Sequence, residues 1–272
     1  MPCLNLNYVL LFFRKSFLSL SLSAALLIVG FYPFVYKSWI FAGFIFFCVE
    51  ATYTLHRLAK YKLNLLLPED KVWMKQNRPL VLLLFLLSSV MILLFYFLTE
   101  LHNSITASAC FILLCILAIG YVFPFFKQNL RTIPFVKSIT VALAWTILTV
   151  VFPAAYLSFN TTLLMPLMLL FLILAILGDW RDKDHDALSL KTFPQLLNSK
   201  NTRVLMAILL LLDFLTSFYF LEGSILISMS IGLVLLVVYC YLLLFKLRQL
   251  NPDSVLTIIA LSAIILRSLG IH

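Results

Sequence analysis

Apolar runs long enough to cross a bilayer recur from one end of this chain to the other, and that alone removes most folds. A hydrocarbon core about 30 Å thick takes about 20 apolar residues as helix. In lipid, every backbone N–H and C=O needs a partner within the protein, so only helices or a closed barrel can span it. The runs here are continuous and do not alternate, which argues against a barrel. With 63% hydrophobic and 11% charged residues, the chain lies outside the range of soluble domains. The sequence predicts an all-α polytopic membrane protein: one transmembrane helical domain over residues 1–272.

Nine spans are expected, at about 17–36, 38–58, 79–98, 104–126, 135–159, 161–178, 204–221, 224–245 and 254–269. Residues 1–15 read as a short interfacial helix or a frayed terminus. The first span is too long for a signal peptide and no small-residue cleavage site follows it. A polar segment, 59–78, separates spans two and three, with Pro68 as a breaker.

Loop charge sets the expected orientation. The N-terminus, the connections after spans two, four, six and eight, and the span ends beside them hold 18 of the 20 Lys and Arg residues; only Lys37 and Arg267 fall on the other side. The positive-inside rule then puts the N-terminus in the cytoplasm and the C-terminus outside, with a bacterial inner membrane as the expected location. The net charge of +9 is accounted for by these loops, so no nucleic-acid partner is expected. The five cysteines show no metal-ligand spacing and mostly sit inside apolar runs, as small hydrophobes do.

Against this background, four aspartates arrive within eight positions after the sixth span: Asp179, Asp182, Asp184 and Asp186. At 100° per residue, Asp179, Asp182 and Asp186 fall within about 60° of one another, and Asp184 points away. Three carboxylates on one helical face repel and need positive charge among them. Arg181, Lys183 and Lys191 could supply it, and so could Mg²⁺, which takes one or two carboxylates with phosphate oxygens and water. The alternative is a solvated helix end that marks the membrane boundary.

The pattern resembles the UbiA-type intramembrane prenyltransferase family, whose second aspartate motif reads roughly D-x-R-D-x-E-x-D and is followed by K-T-L-P. This chain has Asp179, Arg181, Asp182, Asp184 and Asp186, then Lys191, Thr192, Phe193 and Pro194. The connection between spans four and five also resembles the family's, with Tyr121, Pro124, Lys127, Arg131 and Pro134, then Lys137 and Trp145. Two departures stand out. The segment after Asp186 is one residue short, with Leu190 where a glycine is common. The first motif, usually N-D-x-x-D-x-x-x-D, has no aspartate here; Glu50, Tyr53, Thr54, His56, Arg57 and Asn64 are the polar residues left in its place.

The resemblance implies a nine-helix bundle that transfers an isoprenyl group from an isoprenyl diphosphate to an aromatic or lipid-like, membrane-soluble acceptor, assisted by Mg²⁺. Carried over residue by residue, it makes Asp179, Asp182 and Asp186 catalytic metal ligands. It places Arg57, Lys127, Arg131, Lys137 and Lys191 on the diphosphate. Glu50, Thr54, His56 and Asp184 become cavity candidates. Each basic residue could instead serve topology only, and His56 could be a hydrogen-bonded polar residue. Glu50 is expected to have a basic partner, because an unpaired intramembrane charge is costly. Asp213, inside the seventh span, has no assigned role. Two other readings stay open: a relative that binds an isoprenoid or lipid without transferring it, and a transporter. The transporter reading lacks paired Gly/Pro-interrupted spans, and the acids gather at one face instead of the midplane.

Overall fold

The computed structural model of the protein describes residues 11–13, 15–32, 36–123, 130, 133–157, 161–183, 192–244 and 252–270. These contain helices and no strand. The first four are α1 (Leu18–Phe31), α2 (Tyr36–Lys62), α3 (Pro68–Leu98) and α4 (Ile105–Val122). α5 (Val136–Thr146) runs through a π-helical turn, Ile147–Val151, into α6 (Phe152–Leu157). α7 (Leu164–Asp182), the single-turn α8 (Phe193–Leu196), α9 (Ser199–Phe220), α10 (Gly223–Leu244) and α11 (Pro252–Ser268) complete the order.

Five of the helical segments are long and apolar enough to cross a membrane: Tyr36–Lys62, Pro68–Leu98, Val136–Tyr156, Leu164–Asp182 and Ser199–Phe220. Shorter apolar helices lie at Leu18–Phe31, Ile105–Tyr121, Ile225–Val238 and Ser254–Ser268. The chain is a multi-pass integral membrane protein. Its outer surface is apolar, as on α3, where Leu82, Leu83, Leu86, Leu87 and Val90 are all exposed.

The helices close into a ring. α11 packs on α1, α1 on α2, α2 on α3 and α4, α4 on α5, and then α5, α7, α9, α10 and α11 follow in turn. α1 and α11 run parallel, because their contacts climb together. Ser23 meets Thr257 (Oγ to Oγ1 2.6 Å), and Arg267 Nη1 donates to the Tyr32 carbonyl at 2.5 Å. Between these points Gly30 lets the backbones close: a Cβ there would stand 2.9 Å from the Ala260 carbonyl oxygen. Small residues at such crossings replace the hydrophobic drive that lipid does not provide.

The π turn has an identifiable cause. Pro153 has no N–H to donate to the Thr149 carbonyl one turn earlier. The Phe152 N–H reaches back to Ile147, and Tyr32 Oη donates to the Thr149 carbonyl at 2.9 Å. Tyr32→Phe strands that buried carbonyl. It is expected to cost about 1–3 kcal/mol, read as a lower melting temperature in detergent with the fold retained.

The expected polar loop at 59–78 is instead two helix ends and a tight reversal. α2 continues to Lys62. Asn64 takes φ 63°, the Leu65 N–H bonds the Lys60 carbonyl at 2.9 Å, and the Asn64 N–H bonds that of Tyr61 at 3.2 Å. This is a Schellman stop with asparagine in the left-handed position. Pro68 breaks nothing: it opens α3 from its first turn, with Glu69 and Asp70 beside it at the positive end of the helix dipole. Trp73, Met74 and Val81 form a small second core with Phe12, Leu58, Tyr61 and Leu66, so the segment before α1 is tied to the α2–α3 ends.

Candidate functional site

A cavity of about 1020 Å³ lies between α2, α3, α4, α5 and the end of α7. α2 lines it from Cys48 to Lys60, a rise of about 18 Å at 1.5 Å per residue. One end is polar, with His56, Arg57, Lys60, Asn64 and Asp70 facing Arg181 and Asp182. The rest is apolar and aromatic, with Phe17, Phe85, Ile92, Phe111, Leu114 and Leu148 in its wall. Helix α2 therefore meets the end of α7 across one space.

Arg57 is the most constrained cation in this wall. Its guanidinium carbon sits 4.8 Å from the Phe17 ring centre and 5.2 Å from that of Trp73. Nη1 donates to the Lys15 carbonyl at 2.5 Å, and Nη2 lies 3.9 Å from Asp70 Oδ2. The two rings and the carbonyl orient a planar donor fork that would otherwise be mobile. Phe17 holds φ 66°, a region bulky side chains avoid, with its ring against Tyr53 at 4.9 Å.

His56 is a fastening between helices. Its Nε2 lies 2.8 Å from the Ala118 carbonyl, and its ring stacks on Tyr121 at 5.2 Å. A carbonyl only accepts, so Nε2 carries the proton and is not available as a metal ligand. Trp145 Nε1 donates to Tyr53 Oη at 3.3 Å, joining α5 to α2 over the cavity.

Several expected site residues stand elsewhere. Glu50 is 1% exposed and does not line the cavity; it turns to α1, where Ser21 Oγ donates to its Oε2 at 2.9 Å. Among the described residues a serine hydroxyl, and not the expected cation, stands against it. Thr54 is buried off the wall, its hydroxyl spent on the Glu50 carbonyl one turn back, at 2.6 Å.

Lys137 does not join the cavity wall either. Its Nζ lies 2.5 Å from Asp179 Oδ1, and Ser138 Oγ donates to Asp179 Oδ2 at 2.6 Å. Asp179 is 5% exposed, locked between α5 and α7. Asp182 does line the cavity, chelated by its neighbour Arg181 through Nε at 2.8 Å and Nη2 at 3.2 Å. Asp184, Asp186 and Lys191 lie outside the described residues, as do Lys127 and Arg131. Thr192 opens α8, and its N–H donates to Gln195 Oε1 at 3.2 Å in a capping arrangement. Asp213 is fully buried in α9.

The described carboxylates do not by themselves form a magnesium site. Asp179 and Asp182 each face a cation already, and no group of three His, Cys, Asp or Glu stands together among the described residues. The residue that sequence reasoning missed is Asp70, which the Asn64 reversal returns to the side of Arg57.

The ring of helices enclosing a cavity, polar at one end and apolar beyond, is the UbiA-type membrane fold. The structure of a UbiA homolog from Aeropyrum pernix K1 superposes with a TM-score of 0.68, covering 94% of this chain and 98% of that one at 12% identity. No protein-family model matches the sequence, and no curated protein does.

Proposed function

We propose that this protein is an intramembrane transferase that takes an isoprenyl group from an isoprenyl diphosphate to an aromatic or lipid-like acceptor. One observation carries the reading: a single cavity presents Arg57, Lys60 and Arg181 at one end and a long apolar lining beyond them. An isoprenyl diphosphate has that polarity, a multiply charged head on an apolar tail. Ionisable groups are tolerated at membrane depth where protein lines a wet cavity.

In this reading the bond between the allylic carbon and the diphosphate oxygen breaks, and its electron pair leaves on the diphosphate. The three cations hold that developing charge. Tyr53 and Trp145, both in the lining, are the aromatic rings that would stabilise the allylic cation. The acceptor supplies the electron pair of the new bond and gives up a proton. Magnesium assistance belongs to the same proposal, with Asp182 as the carboxylate at the cavity and Asp186 the further candidate. Diphosphate release from short and long isoprenyl diphosphates by purified protein, with and without Mg²⁺, tests it.

A second reading, binding of an isoprenoid or lipid without transfer, draws on the pairing of Asp179 with Lys137 and Ser138. It expects the tail to bind and no diphosphate to be released under any condition.

A further inference from the structure

Lys15, Arg57 and Asp70 come from three separate elements and meet beside the polar end of the cavity, which Arg57 and Asp70 line and Lys15 backs from outside. Lys15 precedes α1, Arg57 is on α2 and Asp70 is in the first turn of α3. Lys15 Nζ lies 3.0 Å from Asp70 Oδ1, and Arg57 Nη2 lies 3.9 Å from Asp70 Oδ2. The second distance is too long for a hydrogen bond, so Arg57 is neutralised without its fork being closed by the carboxylate. Asp70 also lines the cavity, beside Arg57 and Lys60.

We propose that Asp70 is a resident counter-anion, which occupies the place beside Arg57 that a diphosphate takes and returns to it when the diphosphate leaves. The inference rests on the proposed function, whose ligand it shares. Three observations support exchange over a fixed bridge. The carboxylate is 28% exposed and stands 3.9 Å from Arg57, so solvent reaches it and no hydrogen bond closes it on the guanidinium. It stands on a single aspartate side chain, so a rotamer change frees the cations without moving α3. Arg57 keeps its orientation without Asp70, because Phe17, Trp73 and the Lys15 carbonyl hold it.

The chemistry explains why such a residue is useful. A cationic mouth beside a membrane attracts every anion nearby, including phospholipid headgroups. A built-in carboxylate neutralises it at rest. A diphosphate offers more charge and more acceptor oxygens than one carboxylate, so it displaces Asp70 through charge-assisted bonds. After transfer, the returning carboxylate competes with the inorganic diphosphate left behind.

The sign of the effect separates this role from others. A metal ligand or a structural bridge loses binding when neutralised; a resident counter-anion gains it. Inorganic diphosphate and geranyl diphosphate would be titrated calorimetrically into the full-length protein in detergent, with Mg²⁺ and with EDTA. Asp70→Asn is expected to lower both dissociation constants by roughly two- to fivefold in either condition, the scale of one partly exposed ion pair. Arg57→Gln is expected to raise both. Asp70→Ser gives the same reading should Asp70→Asn fold poorly. Wild type that binds geranyl diphosphate, with Asp70 variants that bind equally or more weakly, overturns the exchange and leaves the proposed function standing. Wild type that binds neither ligand overturns both.

Discussion

Lys137→Ala is expected to destabilise the protein by about 3–5 kcal/mol, because it takes the Lys137 ammonium away from the buried Asp179 carboxylate. Lys137 and Asp179 are 13% and 6% exposed at their side chains, so solvent does little to screen the loss. The bridge also joins α5 to α7, and Ser138 completes it with the second oxygen. Lys137→Met combined with Asp179→Leu removes both charges and should recover most of the deficit, since a buried pair is worth little more than an apolar one of similar volume. Melting in detergent, followed by the retained monodisperse fraction, checks this. A single Lys137→Ala variant as stable as the wild type would mean that Asp179 has no need of its cation.

Arg57→Ala is expected to weaken isoprenyl diphosphate binding by about 1.5–3 kcal/mol, roughly ten- to a hundredfold. The loss should be the same with Mg²⁺ and with EDTA, because the guanidinium meets phosphate oxygens directly in this account. Arg57→Lys keeps the charge but not the fork, and should recover only part of the affinity. Asp182→Ala provides the contrast: it should lower affinity when Mg²⁺ is present and, because it releases Arg181, not in EDTA. Equilibrium binding of a radiolabelled isoprenyl diphosphate measures all three. Affinity unchanged in Arg57→Ala would remove the cationic wall from the site.

Hydropathy and loop charge made the all-α membrane class legible, because lipid leaves the backbone so few options. The helix ends were harder to see. Segment 59–78 is polar, yet it protrudes as two helix ends, and polarity alone does not distinguish a loop from a helix that leaves the membrane. The signal was local chemistry: Asn64 as a left-handed stop, then Pro68 with Glu69 and Asp70 as a helix start. Reading those would have brought Asp70 back beside Arg57.

At the aspartate stretch, spacing placed Asp179 and Asp182 on one helical face but was blind to what α5 sets against it. Lys137, expected on the diphosphate, is Asp179's partner instead. The hydrogen-bonded reading of His56 was available from sequence; its partner, the Ala118 carbonyl 62 residues on, was not. The helix defect before Pro153 went unread, and the Tyr32 hydroxyl that satisfies the freed carbonyl comes from the end of another helix.

The central claim is that the cavity between α2 and the end of α7 holds an isoprenyl diphosphate, head at Arg57 and tail along the aromatic lining. A geranyl diphosphate analogue with a diazirine at the end of its tail tests it most directly. After irradiation of the purified protein, peptide mapping should find adducts on the apolar lining of α4 and the π-helical turn, at positions such as Phe111, Leu114 and Leu148. Excess unlabelled geranyl diphosphate should abolish them. Adducts spread over lipid-facing positions such as Leu83, Val90 and Phe97, and insensitive to competitor, would contradict the account.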